Sequence, residues 1–225
     1  MMNNKIYLEG TVVSELTFSH SMYGEGFYSF DLEVRRLSDT KDSLNITVSE
    51  RLITGMDFKI GTQLCVEGQL RSYNKYVDGS NRLILTVFAR DIRYCLERSK
   101  NPNQIFLNGF LCKEPIYRIT PFGREIADML LAVNRPYNKS DYIPTIAWGR
   151  NSRFCKTLKV WDNIRVWGRL QSRQYQKKIS EDKVITKTAY EVSISKMELV
   201  DKNENMYQEE DALSMQNNFD EKNIG

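Results

Sequence analysis

The sequence predicts an all-β chain built as two copies of one small barrel. Three observations carry this. A self-similar pattern recurs at an offset of 99 residues, each copy contains five short segments of alternating apolar and polar residues, and one short helical stretch falls between the third and fourth segments. The repeat is visible where Asn4-Lys5-Ile6-Tyr7-Leu8-Glu9-Gly10 matches Asn103-Gln104-Ile105-Phe106-Leu107-Asn108-Gly109. The same offset places Leu32 on Leu131, Val34 on Val133, Arg36 on Arg135 and Asp42 on Asp141. One inserted residue then aligns Gly68-Gln69-Leu70 with Gly168-Arg169-Leu170, and Ser72 with Ser172.

In the first copy the strands are expected at Ile6 to Val12, Tyr28 to Val34, Leu44 to Val48, Gln63 to Leu70 and Leu83 to Ile92. Residues 51–59 read as helix, with Leu52, Ile53, Met56 and Ile60 near one face. The second copy repeats the order: Ile105–Leu111, Ile126–Asn134, Ile143–Trp148, a helix at Ser152–Lys159, Asn163–Leu170 and Ile185–Ile194. Five strands with a helix between the third and fourth is the order of an OB-fold barrel, and barrel closure lets short strands be stable without free edges. The expected organisation is a first OB domain at 1–96, a linker at 97–102, a second OB domain at 103–199 and a disordered acidic tail at 200–225.

Charge is divided unevenly. Residues 1–98 hold 12 basic and 13 acidic side chains, residues 99–200 hold 18 and 9, and residues 201–225 hold 2 and 7. The second copy therefore attracts polyanions far more than the whole-chain +3 implies. No apolar run has membrane-spanning length and no secretory leader opens the sequence, so a cytoplasmic, nucleoid-associated location is expected. Cys65, Cys95, Cys112 and Cys155 form no Cys-x-x-Cys pair, and His20 is the single histidine, so reduced thiols and neither a metal site nor a cofactor are expected. His20 is read into a Ser-rich turn, away from any nucleophile or paired carboxylate, which argues against an enzyme.

Unpaired nucleic acid is held by aromatic rings that stack on bases and by cations that follow phosphates. The second copy interleaves both. Arg135-Pro136-Tyr137-Asn138-Lys139 closes its second strand, and Tyr142 and Trp148 flank its third, followed by Arg150 and Arg153. Gln171-Ser172-Arg173-Gln174-Tyr175-Gln176-Lys177-Lys178 leads into what reads as a hairpin loop. Tyr142 and Trp148 are an even number of residues apart and so share a face of a regular strand, although a core position for Trp148 stays open. Lys139, Lys177 and Lys178 are candidate phosphate contacts on composition.

The second copy resembles the bacterial single-stranded DNA-binding protein family. The resemblance is carried by Glu114-Pro115-Ile116-Tyr117-Arg118-Ile119-Thr120-Pro121-Phe122-Gly123, Leu131-Ala132-Val133-Asn134-Arg135, Asp141-Tyr142-Ile143-Pro144, Trp148-Gly149-Arg150, Gly168 to Arg173 and Thr188 to Val192. It implies base stacking on Tyr137, Tyr142, Trp148 and Tyr175, and basic partners at Arg118, Arg150 and Arg173. It further implies a non-catalytic role in replication, recombination or repair, and a homodimer presenting four OB domains, in which Trp161 and an outward Trp167 are interface candidates. The first copy departs from the pattern: Ser38, Ser43 and Ser49 stand where Tyr137, Tyr142 and Trp148 do, and only Tyr73 and Tyr76 keep rings in the loop. It is therefore expected to serve architecture. The acidic tail lacks the family's Ile-Pro-Phe tip, which puts recruitment of replication or repair proteins in question. Two alternatives stay open: an accessory or assembly factor of primosome or mobile-element type, and an RNA-binding module.

Overall fold

A computed structural model describes residues 3–38, 40–77, 79–96, 99–180 and 183–200. The acidic tail expected beyond Val200 and part of the linker, Glu97 and Arg98, lie outside the described residues. The first half contains β1 (Asn4–Val12), β2 (Thr17–Met22), β3 (Glu25–Arg35), β4 (Lys41–Ser49), α1 (Glu50–Ile53), β5 (Gln63–Val77) and β6 (Ser80–Tyr94). The second half repeats it with β7 (Asn103–Leu111), β8 (Ile116–Ile119), β9 (Glu125–Arg135), β10 (Lys139–Trp148), α2 (Arg150–Cys155), β11 (Asn163–Ser180) and β12 (Lys183–Leu199).

Each half closes on itself. β1 pairs with both β3 and β5, while β4 meets β6 in a short parallel contact at Ile46 and Val87. The second half closes through β7 with β9 and β11, and through β10 with β12 at Thr145 and Val192. These five strands per half are the expected OB barrel. Its interior is filled by the residues that alternate inward: Ile6, Leu8, Leu32, Leu44 and Leu70, and their counterparts Ile105, Leu107, Leu131, Ile143 and Leu170, all buried. Each such side chain contributes about 1.5–3 kcal/mol by leaving water.

Three details differ from the sequence reading. β2 and β8 are additional strands that pair only with β3 and β9 and extend the barrels as hairpin arms. His20 lies on β2, its ring stacked on Phe27 at 4.9 Å, and not in a turn. The regions after Leu70 and Leu170 are also not loops: β5 runs on to Val77 and β11 to Ser180, each zipped to the following strand as a long two-stranded ribbon.

Two devices join the halves. β1 and β7 pair antiparallel from Asn4↔Leu107 to Leu8↔Asn103, so one continuous sheet runs through both barrels. The second device is reciprocal. Asp141 accepts the Ser72 backbone N–H at 2.7 Å and pairs with Arg71 at 3.0 Å and Arg135 at 3.4 Å. Asp42 accepts the Ser172 backbone N–H at 2.7 Å and takes a two-pronged bond from Arg36 at 2.7 and 2.8 Å. Both carboxylates are fully buried, and their charge is tolerated because it is paired and hydrogen-bonded. The turn after each half's β3 or β9 is thereby clamped onto the ribbon strand of the other half.

Candidate nucleic-acid interface

The third barrel strand of the second half, β10, sorts its residues by parity except at Ile146, which is buried on the even-numbered face. Ile143, Thr145 and Ala147 are buried, while Tyr142 and Trp148 stand exposed at 48% and 36% on the opposite face. A core position for Trp148 is thus ruled out. Its indole N–H donates to Ser193 Oγ at 3.1 Å, which fixes the edge of the ring and leaves a face open. Tyr137 sits at the tip of the β9–β10 turn, 94% exposed, with a left-handed backbone (φ +63°) shared by Asn138. A left-handed non-glycine residue costs roughly 1–2 kcal/mol, a strain that here holds an aromatic ring out in solvent. Tyr175 is exposed on the β11–β12 ribbon, opposite Lys187.

Trp148 lines a groove of about 1100 Å³ that crosses β10, β11 and β12. Gln171, Glu191 and Ser193 form its floor. Of the expected site residues, Trp148, Arg118 and Arg173 come together here. The groove also gathers side chains that the sequence reading did not single out: Phe122, Arg124 and Arg169 of the second half, and Arg35 and Arg36 of the first. Phe122 is 91% exposed at the tip of the β8–β9 hairpin, a turn closed by Gly123 with φ +74°. An aromatic residue between a proline and a glycine, where no core can receive it, was the signal that marked it. Burial lowers the affinity of Arg169 for its proton, and the neighbouring Arg36 charge adds to the effect.

The other expected cations are distributed around this groove. Arg118 pairs with Asp128 at 2.8 Å, Arg153 with Glu125 at 3.3 Å, and Arg173 approaches Glu191 at 3.9 Å. The first two pairs face solvent and are worth about 0–1 kcal/mol, so a phosphate can replace the carboxylate there at little cost, whereas Glu191 is buried. Lys139 and Arg150 are exposed at the two ends of β10. Lys177 and Lys178 belong to the β11 backbone, but their side chains lie outside the described residues. Arg135 is the exception. It faces the buried Asp141 at the junction between the halves, so it acts as a counter-ion in the fold and not as a free phosphate contact. Tyr137, Tyr142 and Tyr175 do not line the groove; Tyr142 lies toward the first half, its backbone N–H donating to Ser72 Oγ at 2.7 Å.

The first half offers a different surface at the matching positions. Ser38 and Ser43 are exposed, and Ser49 is buried and donates to Glu25. Tyr73 and Tyr76 remain exposed on its ribbon. Elsewhere, Trp161 is 76% exposed in a turn. Trp167 faces outward from the sheet, packed on Phe106 at 5.2 Å with the Lys196 ammonium 4.6 Å from its ring.

Comparison with known proteins agrees with this geometry. Residues 102–200 match the model of the Single-strand binding protein family. Single-stranded DNA-binding protein A of Bacillus subtilis is 32% identical over 96 residues, covering 40% of this chain and 56% of that protein. Single-stranded DNA-binding protein 3 of Listeria innocua is 35% identical over 81 residues, covering 33% of this chain and 51% of its own. The chain thus spans about half the length of the curated relatives it matches. The crystal structure of the wild-type single-stranded DNA binding protein from Thermus aquaticus superimposes with a TM-score of 0.72 at 22% identity, covering 88% of this chain and 93% of the other, a likeness of fold across both barrels. In its second barrel, then, the chain is similar to the single-strand binding protein family.

Proposed function

We propose that this protein binds single-stranded DNA through its second barrel, largely without sequence preference, as a non-catalytic factor in replication, recombination or repair. The observation that carries the reading is the exposed ring of Trp148, edge-anchored in a groove rimmed by arginines. Tyr137, Tyr142 and Tyr175 extend the stacking surface beyond the groove, and Arg118, Lys139, Arg150, Arg153 and Arg173 follow the phosphates. Stacking accepts any base, so affinity comes from ring area and charge and not from base edges.

A homodimer with four barrels is the assembly we favour, meeting on the outer sheet face around Trp167. Among the described residues no helix is long and apolar enough to cross a membrane. Within this reading the protein works in the cytoplasm on the nucleoid, and recruitment of replication proteins through the tail is a separate question.

The test is titration of tryptophan fluorescence with oligo-dT at two salt concentrations. Quenching should saturate, weaken steeply as salt rises because phosphate contacts release counterions, and vanish in Trp148→Ala. Stronger binding to an oligoribonucleotide competitor would move the substrate to RNA. Negligible affinity for any strand at moderate salt would leave an assembly factor.

A further inference from the structure

One wall of the groove that holds Trp148 is not made by the second barrel. Arg35 at the end of β3, and Arg36, Leu37 and Thr40 in the turn that follows, all line the same space. The described residues of this turn are held in place. Arg36 N–H donates to the Thr40 carbonyl at 2.9 Å, and the Arg36 guanidinium reaches across to the Ser172 carbonyl at 3.0 Å. Asp42, one step into β4, holds the Ser172 N–H at 2.7 Å and its hydroxyl at 3.1 Å. The turn is therefore bolted to β11, the strand that also carries Arg169 and Arg173. At the same time Leu37 is 91% exposed and Arg35 is exposed beside it, so the bolted turn still presents charge and apolar surface to the groove.

Charge gives the occupant. Among its described lining residues, Arg35, Arg36, Arg118, Arg124, Arg169 and Arg173 face the single carboxylate of Glu191. Arg36 and Arg169, brought from different halves, lie near enough that one disfavours the charge of the other. Asp42 answers Arg36, Asp128 answers Arg118 and Glu191 lies near Arg173, while Arg35, Arg124 and Arg169 add positive charge that suits a chain of anions spaced along the groove.

We propose that the β3–β4 turn of the first half is a DNA-contacting element of the second barrel's groove: the phosphodiester chain of a strand stacked on Trp148 passes between Arg35 and the Arg169–Arg173 edge. The first barrel, stripped of its own stacking rings, then contributes a cationic lip, and one strand is held by both barrels at once. This rests on the reading that the groove holds single-stranded DNA, and adds to it which half supplies the far wall.

The experiment uses the full chain with Arg35→Ala and Arg35→Glu, and oligo-dT of about 8 and about 30 nucleotides, bracketing the site of one OB barrel. Arg35 is exposed, and unchanged melting of the variants verifies that the fold is intact. The expected result is an about threefold loss of affinity in Arg35→Ala and about tenfold in Arg35→Glu. The log–log salt slope should fall by about 0.7, one phosphate on a single strand, with Trp148 quenching at saturation unchanged. Wild-type affinity and salt slope in both variants, with quenching still abolished by Trp148→Ala, would overturn the proposed lip and leave the DNA-binding reading standing. Absence of quenching and affinity in the parent chain would overturn both.

Discussion

Asn4 and Asn103 do the same work in the two halves. Each side chain bridges to the backbone of a ribbon strand, Asn4 donating to the Leu70 carbonyl at 2.7 Å and accepting its N–H at 2.9 Å, Asn103 doing so with Leu170 at 2.7 and 3.0 Å. Asp42 and Asp141 likewise repeat each other, each clamping a serine of the opposite half. Ser38 and Tyr137, Ser43 and Tyr142, and Ser49 and Trp148 occupy equivalent places, but only the second half has an aromatic ring at them. The contrast separates two kinds of position. Those that satisfy buried backbone or buried charge stay alike, because an unmet polar group inside costs the fold directly. Those in the turns before β4 and β10 or on their outer faces carry less of that demand, and there the halves part company, although Ser49 is itself buried and bonded to Glu25.

The strongest challenge to this symmetry is removal of the clamps. Asp42→Ala and Asp141→Ala should each cost about 3 kcal/mol in urea unfolding, by leaving arginines and a serine N–H without their buried partner. Similar losses are expected from the two; a large loss in one and almost none in the other would show that only one clamp holds the halves together.

The ribbon bulges come next. A Cβ on Gly168 would lie 2.1 Å from the Ser193 carbonyl oxygen, and one on Gly68 2.2 Å from that of Phe88. Both glycines sit at register shifts where β11 and β5 leave the barrel for the ribbon. Gly68→Ala and Gly168→Ala should each destabilise by about 2 kcal/mol, because the obstructing atoms are backbone and cannot swing aside. Matching shifts in thermal midpoint would sharpen the equivalence.

The smallest effect is expected at the strained turn. Tyr137→Gly should raise stability by about 1 kcal/mol by relieving a left-handed tyrosine, less what the more flexible unfolded chain takes back. The same change should weaken oligo-dT binding by about fivefold, the low end for one stacked base. Gains in both stability and affinity would remove Tyr137 from the binding surface.

How far these features were legible in the sequence depends on burial. The five barrel strands of each half write a period of two because one face is inside, and the repeat exposed them twice. β2 left no such trace: Thr17 to Met22 are all exposed, so nothing constrains which of them is apolar. The ribbon past Leu170 was read as loop for the same reason, since Arg173 to Gln176 are all exposed. Trp148 and Tyr142 were placed correctly on one face by their spacing. Arg135 was read as a phosphate contact because composition reports charge and not partners; its carboxylate is close in sequence, at Asp141, but the reason that carboxylate is buried lies in the other half, at Ser72. The arginines at 35 and 36 sit in the less basic copy, and only the folded arrangement carries them to the second barrel's groove.

The ladder between β1 and β7 has a consequence for how such a chain changes over generations. Two barrels on separate chains must find each other at whatever level the cell supplies. Two barrels on one chain meet at an effective concentration on the order of millimolar, set by the connector alone. Association then survives mutations that would dissolve a pair of free subunits. A copy relieved of the need to compete for partners can lose its own ligand contacts piece by piece, while its seam strand, still needed by its neighbour, resists drift.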